Sequence, residues 1–587
     1  MSLITDLSER FAVAFEKLGL DPSLGTVTVS DRSDLAQFQC NGALAAAKAA
    51  GRASRDIAED VVGVAADPDV FSELSVAGAG FINIKLTDQF LGQRLASVAA
   101  DGRFGAQRHT GNGKVLVDFG GPNVAKAMHV GHLRASLIGD SLQKIFRWAG
   151  YDVISDIHIG DWGTQMGQLL IEVERRFPDV PYFNAGYNGP YPEESPVTLD
   201  DLQEMYPVVA ARTDEDPEER DRARQATLEL QQGRAGYLAL WQHFWNVSHE
   251  AQQADFEKLG IRFDLWYGES TVHDRVAPML EELAAAGTIA EDDGAQIMVV
   301  AEEGDTKEIP PLLLTKSDGG YLYGTTDLAT VDHRVEMGVG LALYVVDARQ
   351  ALHFEQVFRA AHKSGIAPPE MILEHVPFGT MNGPDGKPFK TREGGVLKLD
   401  DLIGMVTDAA YQRLEEAELA TDYDEDERRE ISRQVGLAAL KYGDLSNHRT
   451  SNYVFDLDRF TSFEGKTGPY LQYGAVRIKS ILRRAAERDL APGEILAPAN
   501  DAERQLMLVV TRFPEVLHRS VEFRAPNYLA EYAYDMVVAF NRFYEACHIL
   551  REEDAGRQAS WLRLVEVTLG LLTLLLELLG IDVPERM

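Results

Sequence analysis

The sequence is poor in residues that would staple it or embed it in a membrane. Only two cysteines, Cys40 and Cys547, occur in 587 residues. That is too few for a disulfide framework or a four-ligand zinc site, and a reducing compartment fits. Long apolar runs are also lacking. The most apolar stretch, residues 564–583, is interrupted by Glu566 and Glu577 and closes at Gly580 before Pro584, which reads as a buried C-terminal helix rather than a membrane span. The opening MSLITDLSERFAVAFEKLG carries acidic residues and no apolar core, so it reads as a first helix and not as a secretory signal. Positive charge is scarce as well: 57 Lys and Arg against 92 Asp and Glu give a net charge of −35. On average such a balance argues against a nucleic-acid partner. A phosphate backbone, however, needs only a local basic track, and the acidic excess gathers in segments such as 213–222 and 422–430. There is no internal repeat and no low-complexity tract.

What is present is expected to organise into about three or four domains. Residues 1–110 have helical patterns through Gly51 and again near 54–61, then the strand-like FINIKL at 81–86, and read as a small α/β domain that ends in the linker RHTGNGK. Next comes an apolar strand, VLVDFG at 115–120, a turn, a helix from about Gly131 to Ala149, and a second strand, YDVISDIHIG. Strand, turn and helix in repetition mark a parallel sheet. The pattern resumes at YLYGTTDLAT, the strand LALYVVDA at 341–348, a helix through His362, and MILEHVPFG. The interval 168–316 is charged and mostly helical, and reads as an insertion between two halves of one nucleotide-binding sheet. From about Asp424 onward the periodicity is helical.

The strongest chemical signal is the string PNVAKAMHVGHLR at 122–134, at the end of a strand and the start of a helix. Backbone N–H groups and the helix dipole favour phosphate there, and open α/β sheets bind ligands beyond the strand C-termini. His129 and His132 are three residues apart, on one face of the first turn, where both can donate to phosphate oxygens. Gly131 between them allows a flat base or ribose to approach the backbone. Taken alone, the pair also fits two histidines capping a helix. Zinc fits less well, because no third ligand is near and the spacing is not i,i+4. A second basic element, GKPFKTREGG at 386–395, places Lys387, Lys390 and Arg392 on a glycine-flanked loop. Mobile cations suit a leaving pyrophosphate, although a solvated basic loop has the same composition.

HVGH resembles the HIGH motif of class I aminoacyl-tRNA synthetases, and the wider string, with GDWGTQMG at 160–167, is similar to the arginine-specific members. GKPFKTREGG resembles their divergent form of the KMSKS loop, with Thr391 where the last lysine usually stands, and Lys126 is placed to supply the missing charge. The resemblance runs from about residue 30 to the last residue and is thinnest over 168–316. It implies an α/β fold: a Rossmann-like class I catalytic domain at 111–450 split by the insertion, a small N-terminal α/β domain at 1–110 that approaches the tRNA elbow, and a C-terminal all-α anticodon-binding bundle at 451–587. The N-terminal domain is similar through DLAQFQCNGALAAAK and VAGAGFIN, where Ala79 replaces a usual proline. Gly474-Ala475-Val476-Arg477 matches the DALR signature in part.

By the same resemblance, arginine is bound by Asp118, Asn123, His129, Tyr323, Asp327 and Gln350, with Asp118 standing where some members have Glu. ATP is bound by His129, Gly131, His132, Lys387 and Lys390. Catalysis falls to His129, His132, Lys126, Lys390 and Arg392. Carboxylates are what a permanently charged five-donor guanidinium needs; read singly, each is also an ordinary helix cap or ion-pair partner. In GPYLQYGAVRIKSILRR, residues Tyr470, Gln472, Arg477, Lys479, Arg483 and Arg484 form a candidate tRNA-binding face, since cations on a helix can track phosphates and tyrosines can stack on bases. The implied reaction converts L-arginine and ATP, as its Mg²⁺ complex, to arginyl-adenylate and pyrophosphate, then moves arginine to the 2′-hydroxyl of the terminal adenosine of its tRNA. A cytoplasmic monomer with no resident metal, no prosthetic group and no membrane partner is the family expectation. Two rivals stand beside it: another enzyme on the same sheet, such as a different synthetase or a small adenylyltransferase, and a tRNA-binding relative that has lost catalysis.

Overall fold

The apolar run Val115, Leu116 and Val117 is buried on both faces, as expected of a strand inside a parallel sheet. In the computed structural model, which describes residues 2–32, 35–316, 320–383, 385–387 and 397–587, the chain divides into two compact units. One comprises Met1–His109, Leu414–Ala438 and Ser462–Met587, and the other Thr110–Arg413 and Ala439–Thr461.

In the first unit, β1 (Val27–Val29), β2 (Phe38–Cys40), β3 (Phe71–Ala77) and β4 (Phe81–Leu86) form an antiparallel sheet in the order β1-β2-β4-β3. Only β4 announces itself in the sequence. β1 and β2 are three residues each, too short to display alternation, and the register of β3 shifts between Phe71 and Glu73. The remainder of this unit is helical. Its apolar C-terminal helix Ala555–Leu578 is long enough to cross a membrane by length and composition, but it packs against helices Gly468–Ala486 and Asn527–Ala546. Arg504 joins Asp88 through two hydrogen bonds, Nε to Oδ1 at 2.7 Å and Nη2 to Oδ2 at 2.9 Å, tying the helix that follows β4 to the bundle.

The second unit is built on four parallel strands: β5 (Lys114–Phe119), β6 (Asp152–Asp156), β10 (Val339–Val345) and β11 (Ile372–His375), in the order β11-β10-β5-β6. Helix Val130–Ala149 connects β5 to β6, and helix Ala351–Ser364 connects β10 to β11. The chain therefore winds in opposite directions from the β5/β10 junction, the switch point where open α/β sheets leave a crevice beyond the strand ends. Between the halves lie helices Leu199–Glu215, Pro217–Gln231, Ala235–Lys258 and His273–Ala285. The insertion also contains what its helical reading did not foresee, an antiparallel sheet of β7 (Ala290–Asp292), β8 (Ala295–Met298) and β9 (Leu312–Thr315). Its first turn is Asp293-Gly294 with φ of 49° and 81°, the mirror-image geometry that twisted hairpins prefer.

Register decides what meets at the C-terminal edge of the main sheet. Tyr344 of β10, Asp118 of β5 and Asp156 of β6 occupy one row across three neighbouring strands, so their side chains share a face. Arg334, on helix Tyr323–Glu336, reaches that row: its Nη2 donates to Asp118 Oδ2 at 2.5 Å and to Asp156 Oδ2 at 3.1 Å. Its guanidinium carbon lies 4.8 Å from the centre of the Tyr344 ring. Burial pushes the Asp118 carboxyl upward, opposed by Arg334, and pushes the Tyr344 phenol up to about 12.

Candidate active site

Beyond β5 the chain makes a tight, multiply tethered turn. Val124 N donates to Gly160 O at 3.0 Å and Ala125 N to Ser248 Oγ at 2.9 Å. Gln252 Nε2 donates to Asn123 O at 2.9 Å, and Gln165 Nε2 to Val124 O at 2.7 Å. Ala125 adopts φ 65°, a left-handed conformation costly to a residue with a Cβ, and these donors and acceptors hold it there. Gly160 packs tightly on this turn: a Cβ there would lie 2.2 Å from Asn123 Oδ1 and displace that side chain.

His129 is the N-cap of helix Val130–Ala149, one step before the first turn where the spacing alone had placed it. His129 Nδ1 accepts from Gly131 N at 3.0 Å, and His129 N donates to His132 Nδ1 at 3.2 Å. The rings stack with centroids 4.0 Å apart. Gly131 is explained by this packing and not only by access for a base: a Cβ there would lie 2.7 Å from His129 Cε1. Capping and phosphate donation, which the sequence offers as alternatives, are therefore compatible. Each Nδ1 accepts a backbone hydrogen bond, so each ring is in the neutral tautomer whose remaining donor is Nε2–H. Burial holds the His132 imidazole down at about 3, with the neighbouring His129 and Lys126 charges adding to the effect, and burial also lowers His129. Lys126 lies 4.9 Å from the centre of the Tyr206 ring, and its ammonium is lowered by burial.

The basic loop is met only at its ends. Lys390 and Arg392 lie outside the described residues, while Lys387 is exposed in a turn in which its O accepts from Gly383 N at 2.8 Å. The chain returns directly onto the histidine turn: Val130 N donates to Leu397 O at 3.1 Å, and Leu399 N to Met128 O at 3.0 Å.

The residues expected to select arginine separate into two groups. Tyr323 opens helix Tyr323–Glu336 and is 68% exposed. Asp327 is one turn further on, and because the N-cap is Leu322 a capping role for Asp327 is ruled out. GDWG links this wall to the phosphate turn, since Gly160 packs on Asn123 while a Cβ on Gly163 would lie 3.7 Å from Tyr323 Oη. Gln350 is exposed at the end of the 3-10 turn Ala348–Gln350 that follows β10. Asp118 is different. It is 7% exposed, with one oxygen accepting from Arg334, so it holds the sheet edge in place.

Two further groups were missed in the sequence. Glu269 follows Gly268 in the cleft that Trp162, Gly163, His273 and Tyr323 also line. Burial pushes its carboxyl up to about 7, assisted by the nearby Asp161 and Asp327 charges. Asp161 in turn accepts from Ser270 N at 2.9 Å and Ser270 Oγ at 2.6 Å. His353 contacts Asp327, with Nε2 2.5 Å from Oδ2. Nothing in YGES marks Glu269. His353, three residues after Gln350 on a helix, was accessible to an i,i+3 reading. Asp118, Asp156 and His158 also bring possible metal-ligand atoms within 4.8 Å of one another, but Arg334 already uses the two carboxylates.

A family model described as the class I tRNA synthetase (R) catalytic domain matches residues 94–457. The chain is also 48% identical over 587 residues to the arginine–tRNA ligase of Alkaliphilus oremlandii, with 100% of both chains covered. It belongs to the arginyl-tRNA synthetase family. A model of the arginyl tRNA synthetase N terminal domain matches residues 5–86, and one of the DALR anticodon binding domain matches residues 471–587. The arginine–tRNA ligase of Maricaulis maris is 49% identical over 588 residues, with 100% of both chains covered. Among solved structures, the arginyl-tRNA synthetase of Plasmodium falciparum is similar with a TM-score of 0.82 at 26% identity, covering 100% of this chain and 99% of that one. That of Thermus thermophilus shares the fold with a TM-score of 0.79 at 24% identity over the whole of both chains.

Within the helix Gly468–Ala486 that bears the basic face of this arginyl-tRNA synthetase family member, Arg483 and Arg484 are exposed. Arg477 stacks 4.6 Å from the Tyr544 ring centre, Lys479 pairs with Glu585 at 2.9 Å, and Tyr470 Oη accepts from Asn541 Nδ2 at 2.9 Å. Gln472 does not belong to that face. It is fully buried, and its Nε2 donates to Asp582 O at 2.6 Å, fastening the C-terminal segment. An aromatic and basic composition cannot distinguish an inward from an outward glutamine.

Histidine titration tests the neutral pair. The depressed value means His132 stays neutral through the range where a free imidazole protonates. The cost of keeping it neutral grows as pH falls below about 6.5, the unfolded value, and levels off near its folded value. In histidine-labelled enzyme, the His132 ring should show an unprotonated Nδ1 and no NMR transition from pH 8 down to the acid limit of folding. A transition near the free-imidazole range would disprove the arrangement.

Proposed function

We propose that the chain joins L-arginine to its tRNA in two steps at the site just described. The observation that carries this reading is the pairing of a neutral histidine donor couple at the sheet's switch point with a separate wall of Tyr323, Asp327 and Glu269. The first suits phosphates and the second a guanidinium. In the first step the arginine carboxylate attacks the α-phosphorus of ATP, supplied as its Mg²⁺ complex, and pyrophosphate leaves. His129 and His132 donate from Nε2–H to phosphate oxygens, where charge grows in the transition state. Lys126, Lys387, Lys390 and Arg392 balance the departing pyrophosphate, and Gly131 keeps the His129 ring folded beneath the nucleotide. In the second step the 2′-hydroxyl of the tRNA's terminal adenosine attacks the arginyl carbonyl and AMP leaves. Positioning and charge stabilisation supply the catalysis, with no covalent enzyme intermediate.

Asn123 and Gln350, at the ends of β5 and β10, suit the α-amino and carboxylate end of arginine. Asp118 acts through Arg334. The tRNA is read by the N-terminal domain at its elbow and by the bundle at its anticodon, where Tyr470, Arg477, Lys479, Arg483 and Arg484 supply the local basic track that a net charge of −35 obscures. Two buried free cysteines suit a cytoplasmic enzyme, and we take it to act as a monomer.

ATP–pyrophosphate exchange, run with each amino acid in turn with and without the arginine-accepting tRNA, tests the reading. Exchange with arginine alone, appearing when that tRNA is added, is expected. Exchange with another amino acid, or none with arginine and tRNA, would reject it. Asp327→Asn keeps the shape and removes the charge facing the guanidinium. Breaking a charge-assisted pair of this kind should lower kcat/KM for arginine about a hundredfold or more and leave the KM for ATP nearly unchanged. Arginine kinetics within about threefold of the parent would remove Asp327 from the site.

A further inference from the structure

Asp327 does not meet the cleft alone. Oδ2 is 2.5 Å from His353 Nε2, and both side chains are roughly three-quarters buried, with 26% and 31% exposure. His353 lies in the first turn of helix Ala351–Ser364, directly after Gln350. The positive end of a helix dipole disfavours a protonated imidazole there, yet the hydrogen bond to Asp327 raises His353 above its ordinary value against the opposing effect of burial. The carboxylate outweighs both. The other groups packed around the pair are Tyr323 on the helix that carries Asp327, Glu269 on the turn Glu269–Val272, and Tyr344 on β10, each of which feels the Asp327 charge. On its own helix His353 touches the Phe354 ring, with centroids 5.7 Å apart. Phe354 also stacks on His375, whose Nε2 lies 3.0 Å from Val346 O.

We infer that His353 is a positioning residue for arginine that couples substrate binding to proton release: it holds Asp327 in place as an imidazolium or as a neutral donor, and the incoming guanidinium drives it to the neutral form. This rests on the reading that Asp327 faces the guanidinium. A positive substrate arriving at Asp327 disfavours a second positive charge on the same carboxylate. The imidazolium therefore loses its proton to solvent while its remaining Nε2–H keeps the carboxylate oriented. Nothing else changes covalently. Linkage fixes the sign: because binding lowers the affinity of His353 for a proton, arginine binds more weakly as pH falls through the free enzyme's His353 value, by up to about tenfold per pH unit for one proton. The imidazole also makes the pocket self-checking, since with no cationic substrate present the Asp327 charge is answered from within the protein.

Glu269, whose carboxyl burial pushes up to about 7, also favours arginine at higher pH, so the test must separate the two. The KM for arginine in aminoacylation is measured on the full chain, with its tRNA and MgATP, from about pH 6 to 8.5, for the parent and for His353→Gln, Glu269→Gln and the double variant. Glutamine can still donate to Asp327 but cannot titrate. The expected result is that log KM for arginine falls with pH in the parent, that the slope is smaller in His353→Gln, that part of it survives in Glu269→Gln, and that the double variant is flat. The KM for ATP should be insensitive throughout. A His353→Gln slope equal to the parent's overturns the inference. If His353→Gln fails to fold, calorimetry of arginine binding to Glu269→Gln in two buffers of different ionisation enthalpy decides. Release of a fraction of a proton near pH 7 supports the coupling, and zero release overturns it. Asp327→Asn separates the layers: unchanged arginine kinetics there reject the underlying reading, whereas impaired arginine kinetics there with an unaltered His353→Gln slope reject only the coupling.

Discussion

The buried guanidinium of Arg334 is the interaction on which the proposed arginine wall depends. It bridges Asp118 of β5 and Asp156 of β6, and lies over the ring of Tyr344 of β10, so one side chain locks three strands to the helix that bears Tyr323 and Asp327 at its start. Two carboxylates in neighbouring strands of a buried sheet would repel without it. The desolvation of three charges is costly, and removal of one member leaves the others uncompensated, typically about 3–5 kcal/mol worse. Such a cluster contributes geometry more than net stability. It ties the sheet edge to the helix that carries Tyr323 and Asp327, the proposed arginine wall.

The proposed phosphate site follows a different electrostatic logic. Its central donors are imidazoles kept neutral by burial and by backbone N–H groups at Nδ1, so they supply Nε2–H without a permanent charge. Positive charge is left to Lys126, beside the Tyr206 ring, and to the segment that returns at Leu397 and Leu399 to pair with Val130 and Met128. A neutral donor is worth most when charge builds on the reacting phosphate. A cation on a loop can follow a leaving group and then release it. On the proposed reading, a strongly acidic chain holds a nucleotide through locally placed groups, while its acidic excess lies in other segments.

Much of this was legible in the sequence. β5, β6, β10 and the helix after HVGH follow from apolar runs and periodicity, because parallel strands buried on both faces read as continuous apolar segments. The histidine turn was legible because it is local: residues 122–134 form one turn and one helix start. What stayed hidden was made by register and by tertiary packing. Arg334 looks like an ordinary charged residue of HRVE until strand pairing aligns Tyr344, Asp118 and Asp156 in one row. Glu269 acquires its unusual proton affinity from burial beside Asp161 and Asp327, both distant in sequence. Gln472 shows the reverse error, a polar residue in a basic segment that faces inward to hold Asp582 O. The hairpin at Asp293-Gly294 carries a DG turn signal that the mostly helical reading of 168–316 did not use.

The bridging role of Arg334 can be tested directly by Arg334→Lys, which keeps a positive charge and loses the planar fork that reaches two carboxylates and an aromatic face. Melting temperature and the separate KM values for arginine and ATP should be measured on the same preparation. A lowered melting temperature together with an arginine KM raised about tenfold or more, at an ATP KM close to the parent's, is the predicted outcome. Parental values for both the melting temperature and the arginine KM would contradict the dependence of the arginine wall on this bridge.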